Sequence, residues 1–165
     1  MILIQDEMLT PSVSNILIDL YKNNPSLCKL WYSSNTLNLA QVENQHDDLG
    51  KKVTFAMSSY LNKCGIQAFP ELVQVIHRPP SSLHNLHVDD ARDTTVMTSI
   101  TYLNDNYEGG ETFFEDGLSV TPKLGRTLFF DGKKYAHGVN EVKNGHRFVL
   151  AIWYSSSIHD LYGIN

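Results

Sequence analysis

The pattern of residue types along the chain changes near residue 70, and this change limits the folds that the chain can adopt. From Leu72 onward, short runs rich in β-branched and aromatic residues alternate with turn residues such as Gly109-Gly110 and Asp131-Gly132. The runs predict β-strands, and the residues between them predict tight connections. The predicted strands are Leu72 to His77, Thr94 to Leu103, Glu111 to Phe114, Leu118 to Val120, Thr127 to Phe130, Gly138 to Val142 and Arg147 to Tyr154. Many short strands with regular turns indicate a sandwich or a barrel rather than repeated βαβ units.

The segment before residue 70 has the pattern of helices. Thr10-Pro11 predicts a helix start, because threonine is a good cap and proline is favoured at the first helical position. Asp47-Asp48 predicts the cap of a second helix, and Trp31-Tyr32-Ser33 predicts a short strand between the two. The predicted apolar faces are Val13, Ile16, Leu17, Leu20 and Tyr21 in the first helix, and Leu49, Val53, Ala56, Met57, Tyr60 and Leu61 in the second. Helices followed by strands predict an α+β, mainly β domain, with residues 1–70 supporting a β-core at residues 71–155.

Length and charge exclude several classes of protein. A chain of 165 residues fits a single domain over residues 1–165. A net charge of −5 argues against a dedicated nucleic-acid binder, which usually carries a basic stripe. Cys28 and Cys64 have no metal-type spacing and are expected to be reduced. The first residues are acidic where a signal peptide would be apolar, and no apolar stretch approaches ~18 residues. We therefore expect a cytoplasmic protein with no membrane partner.

Two types of metal ligand stand two residues apart at His87-Val88-Asp89. Positions i and i+2 of a strand point to the same face, so both side chains can reach one metal ion. His137, at the start of a predicted strand about fifty residues later, is the candidate third ligand. Two imidazoles and one carboxylate form the facial triad of non-haem Fe(II) sites, which leaves open positions for a co-substrate and dioxygen.

The residues alone leave other interpretations of this pattern open. His46-Asp47-Asp48 also fits His-x-Asp, although Asp48 is better explained as a cap at a predicted helix start. Zinc also binds two histidines and one carboxylate, although the chain has no His-Glu-x-x-His helix. His77 and His84 lie shortly before His87 and are expected to line the same pocket.

Arg147 is the candidate anchor for an anionic co-substrate. It follows His137 by ten residues, after an Asn144-Gly145 turn, so a hairpin would bring its guanidinium back beside the histidine. Arginine grips a carboxylate through two hydrogen bonds and stays charged when partly buried. The neighbouring His146 should point to the opposite face of the strand, away from the site.

Several motifs in a fixed order give the chain a family resemblance. They are His87-Val88-Asp89, Ile100-Thr101-Tyr102-Leu103-Asn104-Asp105, Gly109-Gly110-Glu111-Thr112-Phe113-Phe114, Val120-x-Pro122-x-x-Gly125, Leu128-Phe129-Phe130, His137, Arg147 and Trp153-Tyr154. With this spacing, between about Leu72 and Tyr154, the chain resembles the prolyl 4-hydroxylase-like branch of the 2-oxoglutarate/Fe(II) dioxygenases. The resemblance implies a double-stranded β-helix, or jelly roll, supported by N-terminal helices.

The resemblance also implies roles for individual residues. His87, Asp89 and His137 match the iron ligands of the family. Arg147 matches the basic residue that binds the distal carboxylate of 2-oxoglutarate. The positions implied to line that pocket are Thr101, Thr112, Val139 and Trp153, with plain packing in the β-core as an equal alternative for Thr112 and Val139. Ascorbate is implied as the reductant.

Three features depart from the family pattern. Many prolyl hydroxylases carry lysine at the position of Arg147. Family members often have tyrosines just before the first histidine, where this chain has His77 and His84, which become candidate substrate contacts together with Trp153. Arg78-Pro79-Pro80-Ser81-Ser82 replaces a glycine-containing loop, so the lid over the active site is expected to differ.

The implied activity is the hydroxylation of prolyl residues in a protein or peptide, with dioxygen and 2-oxoglutarate consumed and succinate and carbon dioxide released. The alternative is oxygenation of a free amino acid or another small molecule. An open groove beside the iron favours the peptide, and a closed pocket favours the small molecule. A catalytically silent, cupin-like metal-binding protein is a third hypothesis, against which the intact triad and Arg147 argue. Nucleic-acid demethylation shares the chemistry, but the acidic net charge disfavours it.

Overall fold

A computed structural model describes residues 1–42 and 47–160, apart from the side chains of residues 47, 48 and 160. The helices are α1 (Pro11–Asn23) and α2 (Asp47–Lys63), with short 3-10 turns at Pro25–Leu27, Leu39–Gln41 and Ile158–Asp160. The strands are β1 (Ile2–Gln5), β2 (Lys29–Trp31), β3 (Ser34–Asn38), β4 (Phe69–Arg78), β5 (His84–His87), β6 (Thr95–Tyr102), β7 (Glu108–Gly109), β8 (Thr112–Phe114), β9 (Ser119–Val120), β10 (Thr127–Phe130), β11 (His137–Val139), β12 (Val142–Lys143) and β13 (Arg147–Ser155). Helices thus come mainly from the first third of the chain and strands mainly from the rest.

The strands form a large sheet, a small sheet and a two-stranded ribbon. The large sheet has seven strands in the order β1-β10-β6-β13-β4-β3-β2. The small sheet has four strands in the order β5-β11-β8-β9, and β12 pairs with β7 in the ribbon. Strands that are distant in the chain are neighbours in both sheets, so residues far apart in sequence meet in the interior.

Helix α1 forms where the sequence predicts it. The Thr10 side chain accepts a hydrogen bond from the Val13 amide at 3.3 Å, and proline stands at the first helical position. The helix stops at Asn24, whose side-chain amide donates to the Leu20 carbonyl at 2.8 Å. Leu17 and Leu20 are buried as predicted, whereas Ile16 is 38% exposed. Helix α2 begins at Asp47, but the predicted side-chain cap by Asp47 and Asp48 lies outside the described residues.

The expectation that the first 70 residues are mainly helical is incomplete. Strand β1 pairs with β10 at one edge of the large sheet, and the β2–β3 hairpin pairs with β4 at the other. Both are edge elements, and their pairing is made by distant strands rather than by local pattern. The predicted strand at Trp31-Tyr32-Ser33 is instead the end of β2 and the hairpin turn, where Tyr32 has a φ of 51°.

The seven strands predicted after residue 70 are all present, with three differences. Strands β5 and β7 were not predicted, because β5 has four residues with two histidines and β7 has only two residues. The predicted strand from Gly138 to Val142 is divided into β11 and β12. A strand of two residues is too short to show an alternation of apolar and polar residues.

Strand β13 lies between β6 and β4 and separates the two halves of the interior. Phe148, Leu150 and Ile152 belong to the hydrophobic core that the helices share with the large sheet. Arg147 and Trp153 lie an odd number of residues from these three. They therefore point to the opposite face of the sheet, into a cavity. The helices therefore cover one face of the large sheet, and the other face is left for the site.

Two further observations concern the chain as a whole. Cys28 is partly buried and Cys64 is exposed, and both are free thiols, as predicted. Among residues 1–42 and 47–160, no helix is long and apolar enough to cross a membrane.

Candidate metal and co-substrate site

Three metal-ligand side chains converge at the end of the small sheet. His137 of β11 pairs directly across from His87 at the end of β5, and Asp89 follows two residues later. The Asp89 Oδ1 atom lies 3.9 Å from His87 Nε2 and 3.6 Å from His137 Nε2. The candidate ligand atoms all lie within 4.8 Å of one another, in the one such group found among the described residues. His46 of the other His-x-Asp pattern, His46-Asp47-Asp48, lies outside those residues.

Hydrogen bonds orient both imidazole rings. The Nδ1 atom of His87 lies 2.9 Å from the Asn85 carbonyl, and that of His137 lies 2.9 Å from the Tyr135 carbonyl. A carbonyl oxygen only accepts, so each Nδ1 carries the proton and donates it. In the neutral form of each ring, Nε2 then keeps its lone pair and presents it beside the Asp89 carboxylate.

Burial keeps His137 in the form that a metal needs. Burial lowers the pKa of His137 below its ordinary value, and the neighbouring Asp89 carboxylate partly opposes that shift. Phe130 contributes to this apolar environment, with its ring 4.6 Å from the His137 ring in an edge-on arrangement. A neutral imidazole is the ligand form, so the environment favours metal binding at neutral pH.

The large sheet holds the Asp89 carboxylate in place. Its Oδ2 atom accepts hydrogen bonds from the Thr98 hydroxyl at 2.7 Å and the Trp153 indole at 3.1 Å. Its backbone amide donates to the Gly132 carbonyl at 2.8 Å. A Cβ atom at Gly132 would lie 1.9 Å from Oδ2, so this position has to be glycine if the carboxylate is to stay where it is. Oδ1 is left for a metal ion.

Arg147 lies deep in the same cavity and is only 2% exposed. Its Nε donates to the Gly110 carbonyl at 3.0 Å, and one terminal nitrogen donates to the Thr112 hydroxyl at 3.2 Å. The guanidinium also lies over the Tyr102 ring, 5.2 Å from its centroid. Backbone, hydroxyl and aromatic contacts thus fix the plane of this cation without neutralising its charge.

The cavity measures about 810 Å³ and lies between the two sheets. Ligand pockets of proteins commonly fall within ~300–1,000 Å³. Its lining includes the three candidate metal ligands and Arg147, together with Thr112, Val139, His84, Arg78, Thr98, Ile100 and Trp153. The β2–β3 hairpin contributes Trp31 and Tyr32, which are 63% and 75% exposed and stand at the mouth.

Residues 73–155 match the 2OG-Fe(II) oxygenase superfamily. The chain belongs to this superfamily. Membership agrees with the two-histidine, one-carboxylate cluster, which lies inside the matched segment.

Curated relatives of the oxygenase include prolyl hydroxylases. Prolyl 3-hydroxylase 2 of Homo sapiens is 35% identical over 65 residues, which cover 35% of this chain and 9% of that protein. Prolyl 4-hydroxylase 1 of Arabidopsis thaliana is 30% identical over an alignment of 113 residues, and the match covers 50% of this chain and 40% of that protein. The oxygenase therefore matches less than half the length of each of these relatives.

Solved structures confirm the predicted jelly-roll fold. The viral collagen prolyl hydroxylase of Paramecium bursaria Chlorella virus-1, in its 2OG complex, has a TM-score of 0.75 at 22% identity over 94% of this chain and 96% of that chain. A prolyl hydroxylase of Trichoplax adhaerens, in complex with a hypoxia inducible factor oxygen degradation domain peptide fragment, has a TM-score of 0.78 at 17% identity. That match covers 94% of the oxygenase and 83% of its neighbour.

Most residues predicted to line the pocket lie in the cavity of the oxygenase. Thr112 is in contact with Arg147, and its backbone amide also donates to the Tyr102 hydroxyl at 3.1 Å. Val139 and Trp153 line the same space. The ring of His84 lies 3.9 Å from the ring of His87, so His84 stands directly beside a candidate metal ligand.

Thr101 and His77 are placed wrongly by the sequence-based predictions. The Thr101 hydroxyl is 2.7 Å from the Thr127 hydroxyl in the buried interior, because its neighbours in β6, not Thr101 itself, face the cavity. The ring of His77 stacks on Phe148 at 4.6 Å behind β4, and its Nδ1 lies 3.1 Å from the Tyr21 hydroxyl. His146 contacts His77 and, as predicted, lies outside the cavity.

Sequence reasoning missed two residues that belong to the site. Thr98 holds Asp89 from another sheet, and no local pattern in the sequence signals such a contact. The sequence analysis places Arg78 only in the loop that differs from the glycine-containing loop of the family, whereas Arg78 ends β4 and faces the cavity. Its place could have been found by counting alternate residues along β4, since Leu72, Gln74, Ile76 and Arg78 share one face.

Proposed function

We propose that the chain is an Fe(II)- and 2-oxoglutarate-dependent oxygenase that hydroxylates prolyl residues of a protein or peptide. The observation that carries the proposal is the presence of the ligand cluster and an anchored, un-neutralised Arg147 on the walls of one cavity. Superfamily membership supports the reaction class, and prolyl hydroxylases among the relatives support the substrate class.

The donor set fits a ferrous ion. His87 and His137 would each supply Nε2, and Asp89 would supply Oδ1, so the three protein ligands would bind from one side. This set leaves positions open toward the cavity, as non-haem Fe(II) oxygenases require. The chemistry supplied by bound iron with 2-oxoglutarate and dioxygen is the insertion of one oxygen atom into a C–H bond, with succinate and carbon dioxide as co-products.

Arg147 would bind the distal carboxylate of 2-oxoglutarate. Its fork is already fixed by Gly110 and Thr112, so little side-chain entropy is lost when the anion binds. The charge-assisted hydrogen bond would form away from water, because the guanidinium is buried. Thr112 would add a hydroxyl beside the same carboxylate.

The remaining groups would position and protect the reacting centre. Thr98 and Trp153 fix Oδ2 of Asp89 and so direct Oδ1 to the metal. Phe114 and Phe130 pack edge-on with ring centroids 5.0 Å apart, and both rings lie next to His137. This apolar backing would exclude water from the ligand strands.

The mouth of the cavity supports an extended substrate. Trp31 and Tyr32 are exposed aromatic residues at the hairpin turn, and the Tyr32 ring lies 5.6 Å from the ring of His84. Aromatic side chains at the rim suit a proline-containing peptide, because they offer rigid apolar area at low entropic cost. A free amino acid remains the second candidate, supported by an additional buried cation in the cavity. Ascorbate as reductant and a cytoplasmic location stay predictions.

The test is a screen for oxygen incorporation. The protein is incubated with Fe(II), 2-oxoglutarate, ascorbate and dioxygen, together with either proline-containing peptides or free amino acids. We expect a mass gain of one oxygen on a prolyl substrate, with one succinate released per oxygen inserted. Binding of 2-oxoglutarate without oxygen gain on any prolyl peptide, but with gain on a free amino acid, would select the second candidate. No binding of 2-oxoglutarate at all would reject both.

A further inference from the structure

A second arginine in the cavity is not used by the prolyl hydroxylation proposed above. Arg78 is 4% exposed and stands directly opposite Arg147 in the β4–β13 ladder, and both side chains line the cavity. Like charges directly opposite each other in a sheet are destabilising, and burial of each charge adds to that cost. Two such cations on one wall indicate that anions enter this space.

The described partners of Arg78 are neutral. One terminal nitrogen donates to the Ser33 hydroxyl at 3.1 Å and to the Leu83 carbonyl at 3.3 Å, and the other lies 3.0 Å from His84 Nδ1. Because a guanidinium only donates, His84 Nδ1 accepts this hydrogen bond, so the ring is an uncharged acceptor. The Nε atom of Arg78 is buried and has no hydrogen-bond partner among residues 1–42 and 47–160.

No acidic side chain described in the cavity neutralises Arg78. Glu71 is on the same strand but seven residues away, which is about 23 Å at ~3.3 Å per residue. The Asp89 carboxylate already lies beside the two candidate histidine ligands and accepts hydrogen bonds from Thr98 and Trp153. Asp90 is exposed at the mouth. Burial, followed by the charge of Arg147, lowers the pKa of Arg78 to about 10, which still leaves it protonated at neutral pH.

The two guanidiniums are aimed at different parts of the cavity. Arg147 is tied to Gly110 and Thr112 on the β7–β8 side. Arg78 is hydrogen-bonded to Ser33 in the hairpin turn and to His84, whose ring lies 3.9 Å from the ring of the candidate metal ligand His87. Arg78 is therefore on the mouth side of the metal site, where a substrate would enter.

We propose that Arg78 binds a carboxylate of the substrate, so that the oxygenase selects substrates with a carboxylate near the carbon to be oxidised. The inference rests on the proposed function, because it assigns Arg147 to 2-oxoglutarate and leaves Arg78 for the second reactant. The carboxylate can come from a free amino acid, from the C-terminus of a peptide that ends in proline, or from an acidic side chain beside the prolyl residue. In each case it would satisfy the Nε–H of Arg78 and neutralise its charge.

The test compares acids with their matched amides. The probes are L-proline and L-prolinamide, a peptide ending in proline as free acid and as amide, and a Pro-Asp peptide with its Pro-Asn counterpart. Binding is measured without dioxygen, in the presence of Fe(II) and 2-oxoglutarate, through intrinsic tryptophan fluorescence. The chain has two tryptophans, and both Trp31 and Trp153 line the cavity. We expect one acid to bind at least about tenfold more tightly than its amide, as is typical of a hydrogen bond to a charged group.

Variants assign that preference to a residue. Arg78→Gln should remove it, bringing acid and amide to within about twofold, and should leave the affinity for 2-oxoglutarate within about twofold. Arg78→Lys keeps the charge and should retain part of the preference, which keeps the test decisive if Arg78→Gln does not fold. Thermal unfolding of each variant shows whether the Ser33 and Leu83 contacts are needed for stability.

Three results would overturn the inference. These are equal binding of every acid and its amide by the wild-type protein, an acid preference that survives in folded Arg78→Gln, and a loss of 2-oxoglutarate affinity above about tenfold in that variant. The last would assign Arg78 to the co-substrate. Failure of the proposed function would look different, because the wild-type protein would then not bind 2-oxoglutarate in the first place.

Discussion

The floor and the mouth of the cavity are built in different ways. At the floor, Oδ2 of Asp89 and Nε of Arg147 have defined hydrogen-bond partners. At the mouth, Trp31 and Tyr32 project from a hairpin turn, and Nε of Arg78 has no hydrogen-bond partner in the described part of the chain. The floor is therefore preorganised for one fixed set of ligands, whereas the mouth presents exposed aromatic rings and a guanidinium that a substrate can bind.

We expect the floor to determine the reaction class and the mouth to determine the choice of substrate. A preorganised site needs side chains that are locked by packing and by neighbouring hydrogen bonds. Loops at the rim vary more easily, and binding specificity is commonly located on them. Changes at the floor should therefore affect metal and 2-oxoglutarate, and changes at the mouth should affect only the substrate.

The largest effect is expected for Asp89→Ala. Loss of the only charged ligand should reduce 2-oxoglutarate turnover by more than about 100-fold, beyond the ~10–100-fold that changes around a metal ligand cost. The measurement is succinate release at saturating 2-oxoglutarate. Wild-type-like succinate release by a folded Asp89→Ala protein would show that the floor does not hold the metal.

Arg147→Ala should weaken 2-oxoglutarate binding by about 10- to 100-fold, because a charge-assisted hydrogen bond in a buried site is lost. Arg147→Lys is the matched control, since it keeps the charge but lacks the planar guanidinium. Its affinity for 2-oxoglutarate should lie between those of the wild-type protein and Arg147→Ala. Both are followed as the 2-oxoglutarate concentration that gives half-maximal succinate release. Equal requirements in all three proteins would place the anchor elsewhere.

Thr98→Val removes one hydrogen bond from Asp89 Oδ2 and should lower metal affinity by about 10-fold, at the lower end of the range for residues behind a ligand. Thr101→Val is the control, because Thr101 lies in the same strand and faces away from the cavity. Metal titration of both variants compares the two faces of β6. Equal losses would indicate a general effect on the strand.

At the mouth, Tyr32→Ala should raise KM for a peptide substrate by about two- to fivefold, because a rim aromatic contributes roughly 1 kcal/mol or less to binding. The 2-oxoglutarate requirement should not change. Phe55→Ala is the control, since Phe55 is equally exposed at 74% but does not line the cavity. A change in the 2-oxoglutarate requirement with Tyr32→Ala would remove the distinction between mouth and floor.

The sequence predicted the floor of the site better than the mouth. His87, Asp89, His137 and Arg147 could be located because the family motifs and their spacing mark them. The predicted local geometry was wrong: Asp89 lies beyond the end of β5, and His137 and Arg147 belong to strands of different sheets, β11 and β13, rather than to one hairpin. The structure brings them together in one cavity. Thr101 was misplaced because the family motif was followed where the alternation of β6 should have been counted.

The elements around the mouth were harder to predict because they depend on long-range pairing. Strand β3 is mostly polar, and it is a strand because it pairs with β4, some forty residues away. Tyr32 was predicted in a strand but occupies a left-handed turn position, which its residue type does not signal. Arg78 is buried because Ser33 and Leu83 close over it, and neither contact follows from local sequence.

The most direct test of the account is a crystal structure of the protein with Mn(II), a non-oxidising substitute for iron, and 2-oxoglutarate bound. The account predicts a metal ion held by Nε2 of His87, Nε2 of His137 and Oδ1 of Asp89. It also predicts the distal carboxylate of 2-oxoglutarate within about 3 Å of the Arg147 guanidinium, with Arg78 left free of it. A metal ion bound away from these three atoms, or a distal carboxylate seated on Arg78, would contradict it.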